Sequence, residues 1–64
     1  MTETRYNELA AMSKHELLTI EREISDRNGV RGCPESDSKW GIIAHIDSIE
    51  TREAKYGIGF ALIP

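Results

Sequence analysis

The sequence predicts an all-α fold: a small three-helix domain with a helix–extended loop–helix core and an apolar C-terminal tail. Three observations lead to this prediction. Apolar residues recur at helical spacing in three stretches, and Ser or Thr residues suited to capping a helix precede each stretch. Between the second and third stretches the chain loses its periodicity and contains glycine and proline. With 64 residues, positions 1–64 make one small domain. A chain of this size buries only about 60 % of its extended surface on folding, which favours additional cover from a partner chain.

The first two helices are predicted over residues 4–11 and 13–27. Thr2 or Thr4 can cap the first, whose apolar positions are Tyr6, Leu9 and Ala10. The second begins with a capping box, in which the Ser13 hydroxyl accepts from the Glu16 amide and the Glu16 carboxylate reaches back to the Ser13 amide. Behind the box lies an apolar stripe, and Asn28-Gly29 is a stop signal. The stripe consists of Leu17, Ile20 and Ile24.

An extended loop over residues 30–36 connects the second helix to a third, predicted over 37–55. We expect Val30 to turn inward, and one of three polar residues to cap the third helix. Ile42, Ile46 and Ile49 form one stripe of that helix, while Trp40 and Ile43 widen its apolar arc beyond what one partner helix covers. The candidate caps are Ser36, Asp37 and Ser38, and Gly41 suggests a close approach of another backbone.

The tail over residues 58–64 has a strand-like period. Ile58, Phe60 and Leu62 alternate with small residues. An isolated strand lacks ladder partners, so three arrangements are open. The tail can fold back over Trp40 and Ile43, pair with the same tail in a second protomer, or add to a partner's sheet edge. The wide apolar arc of the third helix favours folding back.

The side chains offer no chemistry typical of an enzyme. Cys33 is the only cysteine, and it and the two histidines lack the spacing of a metal site, so we expect no metal and no cofactor. His45, Asp47 and Ser48 are the residue types of nucleophilic catalysis, but helical spacing points them in different directions. We therefore predict that the protein is not an enzyme. Two acidic pairs, Glu21 with Glu23 and Glu50 with Glu53, are expected on solvated faces.

The bulk composition indicates a soluble, cytoplasmic protein. No apolar run reaches the roughly 20 residues of a membrane span, and no segment resembles a signal peptide. The formal net charge of −3 argues against a generally basic surface for nucleic acid.

The second and third helices carry a family resemblance. The segments Glu16-Leu17-Leu18-Thr19-Ile20, Gly29-Val30 and Ser38 to Ile46 resemble the helix–extended loop–helix motif of SAP-type domains and of the N-terminal domain of the transcription termination factor Rho. The resemblance covers roughly residues 9–49, with a loop several residues longer than is typical. It implies DNA or RNA binding through the loop and the start of the last helix. The matching positions are Arg31, Ser38, Lys39 and Trp40.

Two function classes follow from the sequence. The first is a small protein-binding module, a regulator or inhibitor of a host or cellular machine, with a protein or a second copy of the chain as partner. Acidity, small size and excess apolar surface favour it. Its candidate contact residues are Trp40, Ile43, Ile58, Phe60 and Leu62. The alternative is a DNA- or RNA-binding module of the helix–extended loop–helix type. A third idea is an acidic mimic of nucleic acid, which eleven acidic against eight basic residues favour only slightly.

Overall fold

The computed structural model describes residues 1–62 and consists of three α-helices. Helix α1 spans Glu3–Ala10, α2 spans Lys14–Asn28 and α3 spans Lys39–Tyr56. The all-α prediction is confirmed, and each helix lies within two residues of its predicted bounds. Helix α3 packs against both other helices, so it is the centre of the domain.

The predicted helix ends are formed by side chains of the expected type. Thr2 caps α1 by accepting the Arg5 amide at 3.1 Å, and Ser13 caps α2 by accepting the Glu16 amide at 3.2 Å. The return contact of the capping box differs from the prediction, because the Glu16 carboxylate accepts from the Ser13 hydroxyl at 3.1 Å. Gly29 ends α2 at φ 72°, a left-handed conformation that favours glycine.

Of the three candidate caps of α3, Ser38 is the one used. Its hydroxyl accepts the Gly41 amide at 3.1 Å. A Cβ placed on Gly41 would lie 3.4 Å from the Ser38 hydroxyl and 3.7 Å from an Asp37 carboxylate oxygen. The expectation that Gly41 packs against another backbone was therefore wrong, since its neighbours are the capping side chains.

The core lies between α3 and the inner faces of α1 and α2. Its buried members are Leu9, Leu17, Ile24, Ile42, Ile43, Ile46 and Ile49. Ile20, predicted within this set, is only partly buried, whereas Val30 turns inward as expected. Ile43 is 3 % exposed and belongs to the core, so it cannot contact a partner as predicted.

The tail does not form the predicted strand over its described part, residues 58–62, and its last two predicted positions, 63–64, lie outside the described residues. Turns bring it back onto the C-terminal end of α2, where the Gly59 and Ala61 amides donate to the side-chain and backbone oxygens of Asn28 at 2.7 and 3.1 Å. The tail therefore folds back onto α2, and the prediction that it covers Trp40 was wrong, since that side chain is exposed. The Gly59 and Ala61 amides thus find acceptors on Asn28 without a neighbouring strand.

Candidate protein-binding face

An exposed aromatic pair stands where α1 meets the start of α3. The rings of Tyr6 and Trp40 are stacked, with centroids 6.1 Å apart and planes 11° from parallel. Trp40 is 59 % exposed and Tyr6 is 41 % exposed, so the pair remains open to solvent. Of the two predicted roles for Trp40, core residue or surface anchor, the structure supports the exposed one. We call Tyr6 and Trp40, with the surface immediately around them, the aromatic face.

The basic residues that precede Tyr6 and Trp40 in the sequence both hold α1 in place. The Lys39 ammonium donates to the Ala10 carbonyl at 2.6 Å and thereby satisfies the C-terminal end of α1. The Arg5 guanidinium forms a bidentate ion pair with Glu50, in which Nη2 and Nε donate to the two carboxylate oxygens at 2.6 and 3.2 Å. Both contacts fix the position of α1 on α3, and both use positive charge that would otherwise be available to an anion.

The charge left around the aromatic face is acidic. Glu3 lies one turn before Tyr6 on α1, the Asp37 carboxylate lies beside Gly41, and Asp47 lies two turns after Trp40 on the same side of α3. The Met1 amino group contacts Asp47 at 3.2 Å. Among the described residues, neither Glu3 nor Asp37 has an ion-pair partner. The aromatic face thus has an acidic rim.

The four residues implied by the family resemblance do not form one surface. Ser38 is occupied as a helix cap and Lys39 is bound to α1. The Arg31 carbonyl contacts His45 at 3.2 Å, and His45 follows Trp40 by five positions, which is about 140° around the helix axis. Arg31 and Trp40 therefore belong to different sides of α3.

A buried carboxylate that the sequence did not reveal holds the connecting loop. Glu21 was expected on a solvated face but is 3 % exposed. One of its oxygens accepts from the Ser25 hydroxyl at 2.6 Å and the Cys33 amide at 3.1 Å, and lies 3.2 Å from the His45 ring nitrogen. Burial, together with the nearby Glu21 carboxylate, raises the pKa of the Cys33 thiol above its ordinary 9.0. A raised pKa disfavours the reactive thiolate, and the Cys33 side chain packs against the core.

The second acidic pair is also engaged in the structure. Glu50 binds Arg5, and Glu53 binds Arg27 with contacts of 2.7 and 2.8 Å. Asn28 adds a third contact to Glu53 at 2.6 Å. The Arg27 guanidinium and, to a smaller extent, Asn28 hold the pKa of Glu53 below its ordinary 4.5. The prediction of a freely solvated acidic face was wrong because long-range partners on α1 and α2 reach these side chains.

A second exposed apolar surface lies at the opposite end of α3. Tyr56, Ile58 and Leu62 are 62 %, 71 % and 66 % exposed. Phe60, predicted with them as a contact residue, is partly buried and packs against the core. We call Tyr56, Ile58 and Leu62 the tail patch. The predicted contact residues are thus divided between the two ends of the molecule and its core.

No family model, curated protein or solved structure matches this chain. Within residues 1–62, none of the helices combines the length and the apolar character required to cross a bilayer. The same part of the chain contains no group of three or more metal-ligating side chains arranged to hold an ion. The aromatic face and the tail patch are the exposed features that indicate a function.

Proposed function

We propose that the protein is a small protein-binding module whose aromatic face inserts into an apolar site with a basic rim on its partner. The observation that carries the proposal is the stacked, solvent-exposed pair of Tyr6 and Trp40. Trp and Tyr are enriched among the residues that dominate binding energy at protein interfaces. Stacking on Tyr6 also restricts the Trp40 side chain before binding, which reduces the entropy that association must remove.

The charge around the pair favours a protein over a nucleic acid. Base stacking on an exposed tryptophan is worth about 1–3 kcal/mol, but nucleic-acid binding also needs cations against the phosphates. Here the Lys39 ammonium is bound to α1, and carboxylates of Glu3 and Asp37 border the face. Such a rim repels phosphate and complements basic side chains. A regulator or inhibitor that acts on a basic site of a cellular machine fits this surface.

The helix–extended loop–helix resemblance supplies the second candidate, a DNA- or RNA-binding module. The order of α2, a loop over residues 30–38 and α3 agrees with the connectivity that this motif needs. The exposed face of Trp40 and the exposed Arg31 favour it, whereas their positions on different sides of α3 oppose it. Salt-dependent binding to an oligonucleotide would establish this candidate.

The experiment uses Trp40 as its own reporter, because it is the only tryptophan. Purified protein is titrated with a peptide that presents apolar residues flanked by Lys and Arg, and with a matched peptide in which the basic residues are replaced by Glu. We expect a blue shift of Trp40 emission with the basic peptide, weakened by salt, and none with the acidic peptide. Trp emission in a Tyr6→Ala variant tests the contribution of the stacked pair, with binding expected to weaken by about 1 kcal/mol.

Capture from a lysate, with and without nuclease, then tests the same face against natural partners. Wild type and Trp40→Ala are compared, with Tyr56→Ala as a matched control because Tyr56 is an equally exposed aromatic at the far end. The proposal requires a captured protein that is lost with Trp40→Ala, retained with Tyr56→Ala and insensitive to nuclease. Equal capture by Trp40→Ala and wild type would refute it. A Trp40 shift produced by single-stranded DNA or RNA at low salt, but not by the basic peptide, would replace it with the second candidate.

A further inference from the structure

We propose that the partner of the aromatic face is the tail patch of a second copy, so that the chain associates head to tail. This inference rests on the proposed function, because it assigns an occupant to the same face. The tail patch has the properties expected of that occupant: it is apolar, exposed and flanked by basic side chains.

The tail patch is held in a defined shape by hydrogen bonds to the end of α2. Asn28 accepts both the Gly59 and Ala61 amides, and the Leu62 amide donates to the Gly59 carbonyl at 2.9 Å. These bonds hold the turn against α2, where the Leu62 side chain lies beside Gly29, and both Ile58 and Leu62 remain largely exposed. A preformed apolar patch loses little conformational entropy when it binds.

The charge beside the tail patch is opposite to that of the acidic rim. The Lys55 ammonium lies 5.2 Å from the centre of the Tyr56 ring, and Arg52 lies one turn before Tyr56 on α3. The carboxylate of Glu53 is neutralised by its ion pair with α2. Asp26, exposed on the last turn of α2, offsets part of this charge. The two basic side chains complement the acidic rim of Glu3 and Asp37.

The positions of the two surfaces select the head-to-tail arrangement. Tyr56 follows Trp40 by 16 positions on α3, which places their Cα atoms about 24 Å apart along the helix axis. One copy can therefore use both surfaces at the same time. A symmetric head-to-head contact would bring two acidic rims together. A tail-to-tail contact would bring together the basic side chains that flank two tail patches. Head-to-tail contacts repeat, and they give rings or open chains according to whether the rotation closes.

The test measures mass by light scattering and sedimentation over a wide concentration range, using the complete chain and three variants. In the head variant, Glu3 and Asp37 are both changed to Lys. In the tail variant, Arg52 and Lys55 are both changed to Glu. We expect the mass of wild type to rise with concentration, and each charge-reversed variant alone to weaken association about tenfold. Mixing the two variants restores it, because every head in the mixture then meets a complementary tail on the other variant.

A control variant carries Lys14→Glu with Arg22→Glu, which matches the charge change of the tail variant at exposed positions of α2. It should associate like wild type, and far-UV circular dichroism should show all four proteins folded. The weakening of both variants when each is alone distinguishes this arrangement from symmetric dimers. A head-to-head contact uses no tail side chains and a tail-to-tail contact uses no head side chains, so in either symmetric dimer one of the two variants would associate like wild type. Wild type that stays monomeric at the highest concentration overturns the inference. The inference is also overturned if either charge-reversed variant, measured alone, associates as strongly as wild type.

Failure of this inference is distinct from failure of the proposed function. If wild type is monomeric while the basic peptide still shifts Trp40 emission, the aromatic face binds a different protein and only the self-association is wrong. If the peptide produces no shift and Trp40→Ala captures the same proteins as wild type, the proposed function itself is wrong.

Discussion

Replacing Asn28 should remove the largest single polar contribution to this fold. Its side chain is fully buried and makes three hydrogen bonds. The amide group donates to the Ile24 carbonyl at 2.8 Å and to the Glu53 carboxylate at 2.6 Å, and the side-chain oxygen accepts the Gly59 amide at 2.7 Å. Asn28 thus joins α2, α3 and the tail at one point.

The expected cost follows from the bonds lost. A neutral hydrogen bond contributes about 0.5–1.5 kcal/mol and one to a charged group about 1.5–3 kcal/mol, so Asn28→Ala should destabilise the domain by about 3–5 kcal/mol. The total stability expected for 64 residues is about 3–10 kcal/mol. The variant should therefore be largely unfolded or close to it. Asn28→Asp keeps an acceptor for the Gly59 amide but places a second carboxylate against Glu53. We therefore expect Asn28→Asp to be no more stable than Asn28→Ala.

Urea denaturation followed by far-UV circular dichroism measures this effect, and amide hydrogen exchange at Gly59 and Ala61 reports the tail separately. Trp40 emission is unsuitable as the unfolding probe because the side chain is already exposed. Asn7→Ala is the matched control, since Asn7 is an exposed residue of α1. A change of less than about 0.5 kcal/mol for Asn28→Ala, the range of ordinary surface substitutions, would refute the role given to Asn28.

Three further predictions test the helix cap, the core and an ion pair. Ser13→Ala should lower stability by about 1 kcal/mol, and an unchanged denaturation midpoint would argue against the start assigned to α2. Ile46→Ala, at a fully buried site, should cost about 2–4 kcal/mol, and a thermal melt like that of wild type would place Ile46 outside the core. Because the folded-state pKa of Glu53 is depressed, its contribution is present above pH 4.5 and is lost as the pH falls from 4.5 through the lower folded value. Glu53→Gln should flatten that part of the stability–pH curve, and a curve identical to wild type would contradict the Arg27–Glu53 pair.

The sequence by itself determined the local structure of this protein. Caps, apolar spacing and the Asn28-Gly29 stop act over a few residues, so they predicted three helices and most of their bounds without knowledge of the fold. The same spacing identified most of the core. It also identified Trp40 as a candidate anchor, but could not decide whether a third element covered it.

Only the tertiary structure decided which polar residues are buried and which apolar residues are free. From the sequence, Glu21 is expected to be a solvated helix residue. In the fold, His45 and the Cys33 amide, both distant in sequence, contact its carboxylate. The alternating pattern of the tail predicts a strand, but in the fold its Gly59 and Ala61 amides donate to oxygens of Asn28. Ile43 and Trp40 both widen the same apolar arc in the sequence, yet Ile43 is buried in the core and Trp40 stacks on the exposed Tyr6 of α1. In each case the deciding partner lies on another element, and its approach depends on packing that no local pattern encodes.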